Sequence, residues 1–339
     1  VPGCIFLCLP GAVTDGHKYI PDVLEKGAVA LVVEQDVKVP ENITVLKVDN
    51  SRVALAELAA AWYGHPAEKL TTIGVTGTKG KTTTTYMIRG ILEKAGLPTG
   101  LIGTIEAIIG DKHIPSLNTT PESFLVQKYF AEMVQAGIRY VVMEVSSQAM
   151  KLSRVAGFQY DYAIFTNLEP DHIGPGEYIQ CKGMLFRNCK IGIANADADY
   201  LEQVMAGHTC QLETFGMGEN ADLRARNVQR IHQPGYLGVQ YDLDGLEHYT
   251  VHVDIPGVLP TFIVLLILRF GSLMSIGYEK VLLLQNDLNR AASEIISTYT
   301  YKIALQSMIP QYSYATAIGL FVSAVNVIML LIVNTTTNK

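Results

Sequence analysis

Short apolar runs alternate with amphipathic stretches over the first three quarters of the chain, and then the alternation stops. Residues 5–9, 29–33 and 45–48 read as strands with helical patterns between them, and residues 51–64 read as a helix leading through His65-Pro66 into a second region. From residue 69 the chain repeats strand and helix, with apolar strand candidates at 71–75, 101–103, 140–145, 162–166 and 191–195. Continuous apolar strands separated by helices predict a mostly parallel sheet covered by helices. Residues 222–231, 237–243 and 249–255 read instead as short strands joined by turns, a small antiparallel annex.

Past Gly257 the pattern changes. Residues 258–276 form a 19-residue apolar run broken only by Arg269, and residues 314–333 form a 20-residue run whose one strongly polar residue is Asn326. A helix needs about 20 apolar residues to span a bilayer, so both runs predict transmembrane helices, with a buried core helix as the alternative for each. Lys280, Arg290 and Lys302 in the intervening loop and Lys339 after the second run give little positive-inside signal.

The candidate chemistry starts at Gly74-Val75-Thr76-Gly77-Thr78-Lys79-Gly80-Lys81-Thr82-Thr83-Thr84. It follows a strand and precedes a helical pattern carrying Met87, Ile88, Ile91 and Leu92, the context of a phosphate-binding loop. Glycines let backbone N–H groups approach phosphate oxygens, and the helix N-terminus adds partial positive charge. Lys81 is placed to meet phosphate and Thr82 to meet Mg²⁺. The pattern G-x-x-x-x-G-K-[ST] fails by one place, because Val75 stands where its first glycine belongs.

Three further segments bear on the reaction. Ser116-Leu117-Asn118-Thr119-Thr120-Pro121-Glu122 is a polar turn before a helix. Tyr140-Val141-Val142-Met143-Glu144-Val145-Ser146-Ser147-Gln148 is a buried-type strand ending in a carboxylate. Phe165-Thr166-Asn167-Leu168-Glu169-Pro170-Asp171-His172-Ile173 is a strand end carrying Asp and His. Ligands in parallel α/β sheets bind beyond the carboxyl ends of strands, so Lys81, Glu144 and His172 are expected to converge. Each residue also has a plainer reading. Glu144 reads as a surface carboxylate, His172 as a turn cap and Thr119-Thr120 as a helix N-cap pair before Pro121. Lys182 and Arg154 read as solvated charges.

Taken together, Thr-Gly-Thr-Lys-Gly-Lys-Thr-Thr-Thr, Met-Glu-Val-Ser-Ser and Asn-Leu-x-Pro-Asp-His resemble the Mur ligases of the MurE type, over residues 2–257. The resemblance implies an ATP-dependent ligase that joins an amino acid, diaminopimelate or L-lysine, to UDP-N-acetylmuramoyl-L-alanyl-D-glutamate through an acyl phosphate. It implies that Thr78, Lys79, Gly80, Lys81, Thr82 and Thr83 hold ATP, and that Thr82, Glu144 and His172 hold Mg²⁺. It implies that Asn118, Thr119, Thr120, Ser146 and Arg154 hold the UDP-muramoyl dipeptide. Lys182 is then carbamylated and helps place Mg²⁺ and phosphate. The implied fold is α/β. It has a uridine-binding N-terminal domain at 1–68, with residues 10–17 near uracil, and a P-loop central domain at 69–257 with a mostly parallel sheet. Two transmembrane-type helices complete it.

The segment Gly277-Tyr278-Glu279-Lys280-Val281-Leu282-Leu283-Leu284 and Ile296-Ser297-Thr298-Tyr299-Thr300-Tyr301, with the two apolar runs, is similar to the end of a sugar-type ABC transporter permease. That implies a chimera joined near Gly257, with residues 258–333 in a membrane. The helix carrying Phe-Asn-x-x-Asn and the amino-acid-binding domain that the ligase family places after Gly257 are not in this sequence, so little ligase turnover is expected of it. The short spacing from His172 to Lys182 is expected to displace Lys182. A transport fragment and a generic P-loop ATPase are the competing functions, and the second leaves Met-Glu-Val-Ser-Ser unexplained.

Composition narrows the classes further. The chain has 339 residues, long enough for two or three domains, with 26 Lys/Arg against 32 Asp/Glu and a net charge of −6. No basic patch of the nucleic-acid kind is present. Five scattered cysteines without a Cys-x-x-Cys pair predict reduced thiols, a cytoplasmic setting for the ligase portion, and neither a disulfide framework nor a zinc site. No signal peptide opens the chain, and its start inside a fold is read as a truncated N-terminus.

Overall fold

The computed structural model describes residues 2–11, 14–168, 175–233, 236–245 and 249–253. The chain forms two compact units. The first comprises Val1–Arg89, Leu97–Gly192 and Glu202–Gln211; the second comprises Gly90–Gly96, Ile193–Leu201 and the chain from Leu212.

The first unit opens with Ile5–Leu7 (β1), Ile20–Glu25 (α1), Ala30–Val33 (β2) and Thr44–Lys47 (β3). The three strands form a parallel sheet in the order β1-β2-β3. Cys8, Ile20, Leu31 and Val33 are its buried centre, with Phe6, Val23, Leu24 and Ile43 packed against them. Next comes Ser51–Trp62 (α2), capped by Asn50, whose Oδ1 accepts from the amides of Arg52 at 3.0 Å and Val53 at 3.1 Å. That cap satisfies two donors that a helix start leaves without partners.

The same unit continues through Thr71–Thr76 (β4), Lys81–Lys94 (α3), Thr99–Ile102 (β5), Glu106–Ile109 (β6) and Lys112–Pro115 (β7). Ser123–Gln135 (α4), Tyr140–Glu144 (β8), Ser147–Lys151 (α5) and Tyr160–Phe165 (β9) follow. Pro175–Phe186 (α6), Cys189–Asn195 (β10) and Leu201–Met205 (α7) come after them. Strands β9, β4, β8 and β5 lie side by side and parallel, and β6 and β7 add an antiparallel edge. Strand β4, buried from Thr72 on, lies between β8 and β9, as a strand covered on both faces must. The register places Val75 beside both Glu144 and Ile164, so the carboxyl ends of β8, β4 and β9 open at one edge. Under the sheet, Phe130 meets Phe158 edge-on with centroids 5.1 Å apart, and Phe158 lies 4.8 Å from Tyr160.

The second unit holds Gln211–Gly216 (β11), Leu223–Gln233 (β12), Tyr236–Asp244 (β13) and Tyr249–Val253 (β14). Strands β12, β13 and β14 form an antiparallel meander, close to the expected annex, and β12 also pairs in parallel with β11. The β12–β13 register shifts between Arg226 and Gln229, where Asn227 takes a φ of 52°. A bulge there bends the strand, and Asn tolerates left-handed backbone better than most residues.

The hairpin β6–β7 was not expected from sequence. Its strands are four residues each, and a turn through Gly110, at φ 58°, joins them. The apolar runs 258–276 and 314–333, expected as membrane helices, lie outside the described residues. Among the described residues no helix is long and apolar enough to cross a membrane. The five cysteines are free in this structure.

Phe130 is fully buried among aromatic rings. Phe130→Ala is expected to lower the urea-unfolding free energy by about 3–5 kcal/mol, the usual cost of such a cavity. A loss under about 1 kcal/mol would mean that the neighbouring rings collapse into the space.

Candidate active site

The phosphate-loop candidate leaves β4 at Thr76 and enters α3 at Lys81. Two glycines make its path possible. A Cβ on Gly77 would lie 1.9 Å from Thr166 Oγ1, so nothing larger fits against the β9 end. Gly80 takes a φ of 83°, the left-handed region that side chains disfavour. Lys81 is the first residue of the helix, and its Nζ donates to the carbonyls of Gly77 at 2.8 Å and Thr78 at 3.2 Å. The ammonium is thereby folded back over the loop. Thr83 is exposed and Thr82 half-buried in the same turn.

Thr82 turns its hydroxyl to the end of β8. Its Oγ1 lies 3.0 Å from both carboxylate oxygens of Glu144. Glu144 is 1% exposed, so the plainer reading of a surface carboxylate is wrong. A buried carboxylate must be hydrogen-bonded, and Thr104 completes the set. The Thr104 amide donates to Oε1 at 2.8 Å and its hydroxyl to Oε2 at 3.0 Å. Thr104 stands in the turn between β5 and β6, and its Oγ1 is 3.1 Å from Thr119 Oγ1.

Thr120 is fully buried and serves as a cross-link. Its hydroxyl donates to the Glu144 carbonyl at 2.8 Å and accepts from the Ser146 amide at 3.1 Å. The reading of Thr119-Thr120 as an N-cap pair is corrected here, because the cap position of α4 is Glu122 and makes no side-chain cap bond. Ser146 is itself the N-cap of α5, accepting from the Ala149 amide at 3.1 Å. Arg154 is not a solvated charge. Its side chain is 13% exposed, bonds the Thr120 carbonyl at 3.1 Å and pairs with Glu122 at 2.8 Å. Arg52 reaches the other Glu122 oxygen at 3.6 Å and the Pro10 carbonyl at 3.1 Å, tying α2 and the loop after β1 to this edge. Asn118 is exposed on the same turn.

Lys182 reads as a solvated lysine from its sequence, but it is 1% exposed within α6. Its Nζ lies 4.4 Å from the centroid of the Tyr178 ring, one helical turn earlier. Tyr178 Oη is 3.4 Å from Thr78 Oγ1, so α6 meets the phosphate loop despite the short approach from residue 172. His172, and with it the expected convergence with Lys81 and Glu144, lies outside the described residues.

Flanking α3, Tyr86 donates to Glu106 Oε1 at 2.9 Å, and His113 Nδ1 lies 2.7 Å from Glu106 Oε2. Burial, then the bond to Glu106, pushes the Tyr86 phenol up to about 12, so it remains a donor at any ordinary pH. The bond from His113, then that from Tyr86, holds the Glu106 carboxyl below its usual range. Sequence reasoning singled out neither this trio nor Thr104, Glu122, Asn167 and Tyr178. Gly-Thr at the end of a strand was the one available signal for Thr104, and Glu-Tyr-x-x-x-Lys at helical spacing the one for Tyr178.

The donor set fits Mg·ATP. Loop amides, a helix N-terminus and an ammonium suit phosphate oxygens, and a hydroxyl beside a carboxylate suits a hard cation. Among the described residues no three His, Cys, Asp or Glu side chains cluster as a metal cage. Mg²⁺ at phosphates requires none, since one or two carboxylates and waters serve.

Residues 75–259 match the Mur ligase middle domain, and residues 1–63 match the Mur ligase family catalytic domain. The chain belongs to the Mur ligase family. A UDP-N-acetylmuramoyl-L-alanyl-D-glutamate–2,6-diaminopimelate ligase of Clostridium perfringens is 40% identical over 264 residues, 75% of this chain and 54% of that protein. One of the same name from Caldanaerobacter subterraneus is 35% identical over 285 residues, 83% of this chain and 58% of that protein. The chain thus spans little more than half the length of these relatives. A match over 83% of the chain continues past Gly257, so a junction there is not supported. A solved structure of a 2,6-diaminopimelate ligase of this kind superposes with a TM-score of 0.67 at 19% identity, covering 82% of this chain and 58% of that one. MurF from Acinetobacter baumannii superposes with a TM-score of 0.53 at 22% identity over the same shares. At such identities the likeness is one of fold.

Two substitutions test the loop. Lys81→Ala is expected to abolish Mg·ATP binding in titration calorimetry while the far-ultraviolet circular dichroism stays unchanged; a collapsed spectrum would mean a structural lysine. Gly77→Ala is expected to weaken Mg·ATP at least roughly tenfold, because the loop must shift away from Thr166. Unchanged affinity would show that the loop has another acceptable path.

Proposed function

We propose that this chain carries the nucleotide- and UDP-muramoyl-binding parts of an ATP-dependent ligase of peptidoglycan precursor synthesis. The proposed reaction joins an amino acid to UDP-N-acetylmuramoyl-L-alanyl-D-glutamate. The observation that carries this reading is the Lys81–Thr82–Glu144 arrangement at the carboxyl ends of adjacent parallel strands. The names of the relatives favour diaminopimelate as the amino acid, with L-lysine as the alternative.

In this reading residues 1–68 bind the UDP-muramoyl moiety and residues 69–257 bind ATP. Residues Thr78 to Thr83 hold the phosphates, with Lys81 neutralising charge that builds on them. Thr82, Glu144 and His172 hold Mg²⁺, which supplies charge neutralisation at the transferring phosphoryl group. Asn118, Thr119, Thr120, Ser146 and Arg154 hold the dipeptide, and a carbamylated Lys182 helps place metal and phosphate. The exposed Asn118 and the Arg154–Glu122 pair offer complementary polar groups at the edge.

The chemistry balances in two displacements. A substrate carboxylate oxygen bonds to the γ-phosphorus as the bond to ADP breaks, giving an acyl phosphate and ADP. The incoming amine then bonds to the acyl carbon, inorganic phosphate leaves, and the nitrogen loses a proton. Positioning and charge neutralisation supply most of the rate in such transfers.

ADP release that requires the UDP-muramoyl dipeptide is the expected result, measured with a coupled assay on the full chain. Calorimetry is expected to give a dipeptide Kd in the millimolar range or tighter. ADP release indifferent to the dipeptide would point to a generic ATPase and overturn the ligase reading.

A further inference from the structure

Asn167 stands two residues past β9 and makes an unusual set of bonds to the phosphate loop. Its Oδ1 accepts from the Lys79 amide at 2.9 Å, and its Nδ2 donates to the Lys79 carbonyl at 3.0 Å. Its own carbonyl accepts from the Thr78 amide at 3.1 Å. Beside it, Thr166 Oγ1 donates to the same Lys79 carbonyl at 2.9 Å. One side chain therefore pairs with both polar groups of one loop residue, as a neighbouring strand would, in a segment that has no strand neighbour.

We propose that Asn167 is a positioning residue for the phosphate loop: it fixes the backbone at Lys79 and so aims the Gly80–Lys81 turn at phosphate. Lys79 is exposed, so burial does not demand these bonds, and water could satisfy the same groups. What the amide adds is order. Only a primary amide of this length offers a donor and an acceptor side by side. Aspartate lacks the donor and would set an oxygen against the Lys79 carbonyl. Glutamine is one methylene longer. The reciprocal pairing also fixes the amide orientation, since the flipped form would face donor to donor and acceptor to acceptor. A loop held before its ligand arrives loses less freedom on binding, which strengthens binding without any contact to the ligand. The inference rests on the nucleotide reading of this loop but concerns bonds to the backbone of Thr78 and Lys79.

The full chain with Asn167→Ala and with Asn167→Asp supplies the test. Without nucleotide, backbone hydrogen exchange across residues 76–81 is expected to quicken about tenfold in Asn167→Ala, while exchange in β8 stays as in the wild type. Mg·ATP affinity is expected to fall about tenfold, and further in Asn167→Asp, which brings negative charge to an anion site. Binding of the UDP-muramoyl dipeptide is expected to be unchanged. If Asn167→Ala fails to fold, Asn167→Asp retains one bond and carries both measurements. Unchanged exchange across 76–81, or an equal rise across β4 and β8, would overturn the positioning role. Failure of the wild type to bind Mg·ATP at millimolar concentration would sink the nucleotide reading alone, with loop exchange still deciding the role of Asn167.

Discussion

The Glu144 carboxylate is the constraint around which this edge of the sheet is arranged. A carboxyl group at 1% exposure is costly to bury unless its oxygens are hydrogen-bonded. Its partners come from two separate stretches of chain, Thr82 in the first turn of α3 and the amide and hydroxyl of Thr104 between β5 and β6, while β8 holds the carboxylate itself. Satisfying it fixes where α3 begins, and so where Lys81 stands. The Glu144 carbonyl anchors Thr120, which bonds the amide of Ser146 and thereby sets the start of α5.

A second layer of bonds links this edge to the rest of the first unit. Glu122 lies between Arg154 and Arg52, and Arg52 also holds the carbonyl of Pro10. These pairs are half-buried, so screening weakens them less than it would weaken surface pairs. They join α2 and the loop after β1 to the turn before α4.

Much of the larger sheet was legible in the sequence because β4 and β8 are continuous apolar runs, and such runs lie inside a sheet. Residues 71–75 and 140–145 differ from the observed β4 and β8 by a single residue at one end. The strand–loop–helix context of Gly77 to Thr82 was legible although Val75 breaks the general pattern, since Gly77 and Gly80 meet the needs of close backbone approach and a left-handed turn. The β6–β7 hairpin was not legible, because four-residue strands on a sheet edge leave no sustained period to read.

The sequence by itself determined most of the order of strands and helices, and the place of the glycine-rich loop between β4 and α3, because these follow from local patterning. Only the tertiary structure decided which polar residues are partners. Local sequence marks Thr104, Asn167 and Tyr178 faintly at best, and their partners lie 40, 88 and 100 positions away in the chain. The same holds for Lys182 and Arg154, which composition ranks as surface charges and the fold takes out of water. Burial and partner choice depend on which segments pack together, and no window of sequence contains that information.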